Sequence, residues 1–185
     1  MADSPLAAPA LPKGHVTALL VQYARYHRDR RNILTHFVGI PLIVFAIGVL
    51  LARASVFGFS AAWIVWGLAT LWYLSRGSLV LGLAVSTVNA VLIAAAHPLA
   101  AGNLSSWLAW GVGSFVVGWI IQFVGHYYEG RKPAFVDDLV GLLVGPMFVV
   151  AEWLFAAGWG REMLAEIERQ AGPTRLRDLA QPAAR

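Results

Sequence analysis

One long uncharged stretch limits what this chain can fold into. Between Arg76 and Glu129, residues 77–128 form a run of 52 positions without Asp, Glu, Lys or Arg. Of all 185 residues, 58% are hydrophobic and only 13% are charged. A soluble domain of this size cannot bury so much apolar chain, because a small fold keeps much of its surface in water. The sequence therefore predicts an all-α integral membrane bundle of four to five hydrophobic helices.

Charged residues divide the apolar sequence into segments close to the roughly 20 residues that a helix needs to cross a bilayer. The predicted hydrophobic helices are residues 33–52, 61–74, 79–96, 107–124 and 139–160. The last of these contains Gly145, Pro146 and the acid Glu152, so it either spans the membrane or re-enters it. A turn is predicted at His97, Pro98, Gly102 and Asn103.

The two ends of the chain differ from the apolar middle. Residues 1–15 are rich in Ala and Pro and are expected to form a disordered tail, whereas residues 16–160 are expected to form one membrane domain. That domain begins with an amphipathic surface helix. Residues 161–185 mix acids and arginines, which predicts a surface helix ending in a loose tail. Because the basic residues flank apolar spans, the net charge of +4 indicates contact with membrane lipids and not with nucleic acid.

Basic residues also orient the predicted bundle. The positive-inside rule places the N-terminal basic helix in the cytoplasm, and after two and four crossings Arg76 and the pair Arg131 and Lys132 return to that side. A fifth full crossing would send five arginines outside, which the rule disfavours. The protein is therefore expected in the inner membrane if bacterial, or in the endoplasmic reticulum if eukaryotic.

The first polar motif runs from the surface helix into the first span and includes His27, Asn32 and His36. His36 lies about one turn inside an apolar segment, where a polar ring is costly unless it has a partner or a function. His27 and His36 are about half a turn out of phase on one helix, so they can face one site only if the chain bends between them. Asn32 either caps the helix or orients a ligand, and both readings stay open.

The second polar motif ends the fourth predicted span. Gln122, His126 and Glu129 are spaced four and three residues apart, so they share one helical face. A His and Glu pair at this spacing can chelate a metal or form an interfacial ion pair. The crossing count places this motif beside His27 and His36 on the cytoplasmic side. With no cysteine in the chain, these imidazoles and one carboxylate suit Fe(II), Zn(II) or Mn(II).

At these motifs the sequence resembles a known family, the small membrane 2-hydroxy fatty acid dioxygenases named for metabolism of phytosphingosine to odd-numbered fatty acids. The resemblance rests on YHRDRRNILTHFVGIP at 26–41, on QFVGHYYEGRKPA at 122–134 and loosely on GPMFVVAE at 145–152. It implies an Fe(II)-dependent enzyme that uses O2 to shorten a 2-hydroxy fatty acid by one carbon. It also implies that His27, His36 and His126 are the motif histidines.

Further site residues are expected around that metal. Glu129 is expected beside the three histidines as a ligand, on helical spacing alone. Asn32 and Gln122 are candidates to position the ligands, and Tyr26 or Tyr23 to donate a hydrogen bond to bound oxygen. Arg131 and Lys132 are candidates to pair with the substrate carboxylate on its approach, although contact with lipid headgroups explains both equally well.

Other function classes remain open at this level. A non-catalytic membrane protein that binds lipid or scaffolds partners would use the same histidines as polar anchors. A zinc-dependent lipid hydrolase would hold zinc and work without O2. A homo-oligomer is also compatible with the sequence, which does not decide oligomeric state.

Overall fold

The computed structural model describes residues 16–133 and 139–180. The tail predicted at 1–15 lies outside the described residues. The helices are α1 Val16–Ala24, α2 Arg30–Ala52, α3 Ala61–Leu74, α4 Leu79–Ala100, α5 Leu104–Leu108, α6 Ser114–Glu129, α7 Gly141–Ala156 and α8 Arg161–Ala171. A π-helical segment, Ala109–Gly113, joins α5 and α6 into one rod. A small antiparallel hairpin of β1 Ser55–Val56 and β2 Phe59–Ser60 connects α2 to α3.

The predicted class, an all-α membrane bundle, is confirmed. Within the described residues, α2, α4 and the rod Leu104–Glu129 are apolar and have 23, 22 and 26 residues, enough to cross a bilayer. The α3 helix is apolar but has only 14 residues. The helices α7 and α8 form a pair bent by 119°, as in a broken span or a re-entrant segment.

Glycines bring α2 and α6 into close contact. A Cβ atom at Gly118 would lie 2.6 Å from Ile43 Cγ1, and one at Gly125 would lie 2.1 Å from Thr35 Oγ1. Neither position has room for a side chain, so the two helix backbones approach closely. Small residues serve this purpose between membrane helices, because packing replaces the hydrophobic effect as the driving force in lipid. This pairing aligns the start of α2 with the end of α6.

The two ends of α7 contact different parts of the bundle. Near its first turn, Leu142 lines the same cavities as Ile47, which lies in the last third of α2. Near its end, the Glu152 carboxylate lies 3.8 Å from the guanidinium of Arg28, just before α2 begins. The last apolar segment therefore ends beside the start of α2, and its bend fits either a broken span or a re-entrant segment.

The turn predicted around His97, Pro98, Gly102 and Asn103 is confirmed at Gly102 and Asn103 and wrong at His97 and Pro98. Those two residues lie inside α4, which continues to Ala100, and the chain turns at residues 101–103. The His97 ring stacks on Trp63 with centroids 5.6 Å apart, far along the chain from the polar motifs. An apolar segment in lipid keeps its helical hydrogen bonds as long as it can, because no water replaces them, and this outweighs the local preference of proline.

The prediction of a loose tail is wrong for residues 173–180. This segment, which we name the C-terminal strap, follows α8 and pairs with the chain just before α2. The Arg30 N–H donates to Arg175 O and the Arg175 N–H donates to Arg28 O, both at 2.8 Å. Hydrogen bonds of extended backbone leave no periodic signature in a sequence, so composition alone did not indicate them.

Candidate metal centre

Three histidines from separate elements meet at one point. His27 lies on the loop of residues 25–29 between α1 and α2, His36 on the second turn of α2 and His126 near the end of α6. All three are buried, and one ring nitrogen from each lies within 4.8 Å of the others. The chain bends between His27 and His36, as their spacing required. Among the described residues, this is the cluster whose geometry can hold a metal ion.

The hydrogen bonds of the rings direct their free nitrogens towards each other. His27 Nδ1 lies 2.7 Å from Tyr23 O, and His36 Nδ1 lies 2.8 Å from Asn32 O. A carbonyl oxygen only accepts, so each Nδ1 carries the proton. The two Nε2 atoms, 3.0 Å apart, are then both lone-pair donors when the rings are neutral. Two facing lone pairs repel unless a cation lies between or beside them, and a metal ion satisfies both.

The surroundings of His27 favour its neutral form. Burial is the main cause that lowers the pKa of His27 well below its usual value, and the neighbouring His36 and His126 lower it further. The Tyr23 ring stacks on His27 with centroids 4.1 Å apart and an angle of 5° between the rings. A neutral, rigidly held imidazole is the form that binds a metal ion.

Helical spacing predicted Glu129 beside the three histidines, but its carboxylate contacts other groups. Its carboxylate accepts hydrogen bonds from the Arg28 N–H at 2.9 Å and the Asp29 N–H at 2.8 Å. The Asn32 side-chain amide donates to it as well, at 3.1 Å. The structure therefore does not group Glu129 with the three histidines. It places the carboxylate under the loop that carries His27.

Asn32 does not cap its helix. The cap of α2 is Asp29, whose carboxylate accepts a hydrogen bond from the Arg31 N–H at 2.8 Å. Asn32 is fully buried instead and joins the two sides of the site. Its side-chain amide donates to Glu129 and to Tyr26 O, while its backbone carbonyl accepts from His36. Of the two open readings, the structure favours the one in which Asn32 orients other groups.

The two candidate tyrosines lie in different places. Tyr23 contacts His27 and lines the cavity next to the histidines. Burial raises the pKa of Tyr23, so its hydroxyl stays protonated and remains a donor. Tyr26 lines a separate cavity of about 20 Å³ that contains none of the three histidines. The structure thus brings Tyr23, and not Tyr26, to the site.

An apolar cavity of about 140 Å³ begins at the histidines and follows α2 into the bundle. His36, His126, Tyr23 and Gln122 supply its polar groups, and aliphatic or aromatic side chains line most of the rest. Gln122 is buried, and neither Oε1 nor Nε2 has a hydrogen-bond partner within the described chain. A buried amide without partners is costly, which makes Gln122 a candidate for binding a polar ligand group.

Arg131 and Lys132 lie outside this cavity. Both are exposed, and the Arg131 guanidinium donates to Arg25 O at 2.7 Å. The next residue, Pro133, does line the cavity. The structure therefore places the two basic residues near the site without bringing them to the histidines.

Two contacts around the site were missed from the sequence. Buried Arg28 lies beside Glu152, so the acid in the last apolar segment lies near the loop that carries His27. Its charge within an apolar run was a signal that a partner exists. In the strap, the Arg177 N–H donates to the Asp29 carboxylate at 2.7 Å, and no sequence pattern indicated that contact.

Comparison with known proteins agrees with the resemblance seen in the motifs. The family model described as Mpo1-like, 2-hydroxy-palmitic acid dioxygenase Mpo1-like, matches residues 14–157. A Saccharomyces cerevisiae protein named 2-hydroxy-palmitic acid dioxygenase MPO1 is 31% identical over 153 residues, covering 79% of this chain and 83% of the yeast protein. No solved structure matches the chain significantly. The strap lies beyond the residues that the family model matches.

Proposed function

The chain belongs to the Mpo1-like family, and from that premise we propose that it is a membrane 2-hydroxy fatty acid dioxygenase. It uses Fe(II) and O2 to shorten its substrate by one carbon. The observation that carries the proposal is the position of three buried histidines at the head of an apolar cavity. A metal ion at this position would suit a ligand that has a polar head and an apolar chain, as a fatty acid has.

His27, His36 and His126 are the residues that would hold the metal. Three neutral imidazoles leave other coordination positions open, and they suit Fe(II) as well as Zn(II). Zinc has no redox chemistry, so the dioxygenase name of the relatives favours iron. Bound Fe(II) would supply a binding position for O2 beside positions for the carboxylate and the 2-hydroxyl of the substrate.

The polar head of the substrate would meet Gln122 and Tyr23. The Gln122 amide can donate to the carboxylate and accept from the 2-hydroxyl, which would satisfy both of its unpartnered atoms. The Tyr23 hydroxyl can donate to an oxygen at the same end of the cavity. Arg131 and Lys132 then act earlier, by attracting the carboxylate at the membrane surface, which the positive-inside rule assigns to the cytoplasm.

The proposed reaction balances without a further reductant. A 2-hydroxy acid and O2 give the acid one carbon shorter, CO2 and water. The bond between the carboxyl carbon and the hydroxyl-bearing carbon breaks, and that second carbon is oxidised to the new carboxyl group. Dioxygen takes up the four electrons released, and its two oxygen atoms are distributed among the shorter acid, CO2 and water.

Anaerobic reconstitution of the detergent-purified protein with Fe(II) tests this proposal. We expect 2-hydroxypalmitic acid to yield pentadecanoic acid on admission of O2, with release of label from the carboxyl carbon as CO2. Protein loaded with Zn(II), or kept without O2, is the control and should form no product. If iron binds but no 2-hydroxy acid of any chain length is shortened, the proposed function is wrong.

The same experiment separates the alternatives. A zinc-dependent lipid hydrolase would be active with Zn(II) and without O2. A lipid-binding or scaffold protein would purify intact and fail to retain iron. The direction of two Nε2 lone pairs towards one point favours either metal-dependent reading over a metal-free scaffold, and the need for O2 then separates iron from zinc.

A further inference from the structure

A second apolar cavity, of about 130 Å³, continues from the first one deeper into the bundle. It lies between α2 and α3, with further walls from α4 and α7. Its lining includes Leu51, Val65 and Trp66, and none of the three histidines. The catalytic chemistry proposed above assigns no role to this space.

The two cavities share part of their lining. Val44, Ile47, Leu142 and Pro146 line both, so the cavities meet where α7 crosses α2. At this junction Ile47 and Leu142 keep 37% and 48% of their surface exposed, so open space remains beside both side chains. We name the two cavities together the acyl channel.

The channel follows one side of α2 from the histidines towards its far end. His36 lies at its head and Leu51 near its other end, 15 residues further along the helix. At 1.5 Å per residue, this is about 22 Å. One leaflet of a bilayer covers about 15 Å of the roughly 30 Å hydrocarbon core. The channel is therefore long enough for an extended long-chain acyl group.

We infer that this channel binds the acyl chain of the substrate and that its residues set which chain lengths are used. The inference rests on the proposed function. It assigns a binding site to the acyl chain, for which the proposed function named no site. The head group lies at the histidines, the chain passes Ile47, and the methyl end of the longest substrates lies near Leu51. Each buried methylene contributes about 0.8 kcal/mol, so longer chains gain affinity until the channel ends.

Tryptophan substitutions at two depths test the inference. Ile47→Trp would close the junction, and Leu51→Trp would shorten only the far end. The matched control is Val38→Trp, on the same helix but 57% exposed and outside both cavities. The three variants and the unmodified protein would be loaded with Fe(II) and compared on 2-hydroxylauric, 2-hydroxypalmitic and 2-hydroxystearic acids.

We expect a graded loss of long substrates. Ile47→Trp should lower the ratio of kcat/KM for 2-hydroxypalmitic over 2-hydroxylauric acid about tenfold, the effect of roughly two buried methylenes. Leu51→Trp should mainly reduce the use of 2-hydroxystearic acid, whose extended chain reaches Leu51, and Val38→Trp should leave the ratios unchanged. Displacement of a fluorescent polyene fatty acid by saturated acids of the same lengths should show the same order of binding.

Failure of this inference is distinguishable from failure of the proposed function. An active unmodified protein whose chain-length profile is the same in Ile47→Trp and Val38→Trp would overturn the channel and leave the dioxygenase intact. An unmodified protein that shortens no 2-hydroxy acid would overturn the function. The displacement assay would then still show whether the channel binds acyl chains.

Discussion

The three histidines of the site are held in two different ways. His36 and His126 lie on α2 and α6, two membrane helices that contact each other closely through glycines. His27 lies on the loop of residues 25–29, outside the membrane helices, and its ring is held locally by Tyr23 O and by the stacked Tyr23 ring. The comparison shows that one site combines a rigid pair of positions with a third position that other segments must fix.

The loop is fixed from two sides. From α6, Glu129 accepts hydrogen bonds from the Arg28 and Asp29 N–H groups. From the C-terminal strap, Arg175 pairs with the backbone of Arg28 and Arg30. The backbone beside His27 is thus paired with segments far away in sequence, whereas His36 and His126 lie within regular helices.

Removing a helix-borne histidine should have the largest effect on the site. We expect the unmodified protein to bind close to one iron per chain and His126→Ala to lose both this iron and the proposed dioxygenase activity, since the hole it leaves offers no replacement ligand. Iron per chain in detergent-purified protein, with circular dichroism to check the helices, measures this. His97→Ala is the matched control and should keep its iron, since His97 contacts Trp63 and not the site. Equal iron in both variants would contradict the site.

Substitution of Glu129 should reduce iron binding less than loss of His126. It also tests whether Glu129 binds the metal or orients the loop that carries His27. In Glu129→Ala the buried N–H groups of Arg28 and Asp29 lose their acceptor, at about 1–3 kcal/mol for each. We expect iron affinity to fall about 10–100-fold, as for other groups that orient metal ligands. Glu129→Gln keeps one acceptor oxygen and should lie between Ala and the unmodified protein in competition with a chelator. Loss of iron in Glu129→Gln as complete as in His126→Ala would show that Glu129 is itself a ligand.

Weakening the strap should have the smallest effect. Arg175→Pro removes the N–H that donates to Arg28 O, whereas Arg175→Ala keeps it. One lost hydrogen bond of about 1 kcal/mol corresponds to a roughly fivefold change, so we expect iron release to a chelator to be a few-fold faster in Arg175→Pro alone. Hydrogen exchange of residues 25–31 should rise in parallel. Identical release rates in the two variants would show that the strap does not support His27.

Much of the site was predictable because helical spacing and membrane crossings are regular. Uncharged runs located the spans, and counting crossings brought His27, His36 and His126 to the same side before their contacts were known. Glu129 shows where this reasoning ends. Spacing predicts which residues share a face, but it does not show which neighbour a carboxylate meets there. Two backbone N–H groups on a loop lie in front of it.

The sequence by itself determined the membrane class, the family and the three histidines, because hydrophobic length and short polar motifs are local properties. Only the tertiary structure decided the contacts of Glu129 and Asn32, the position of Glu152 beside Arg28, the pairing of the strap and the two cavities that share a lining. Each of these depends on contacts between segments distant in the chain, and backbone hydrogen bonds and empty space leave no residue pattern to read. The uncharged run of residues 77–128 thus required a helical membrane bundle. Contacts between the segments of that bundle then brought the site residues together.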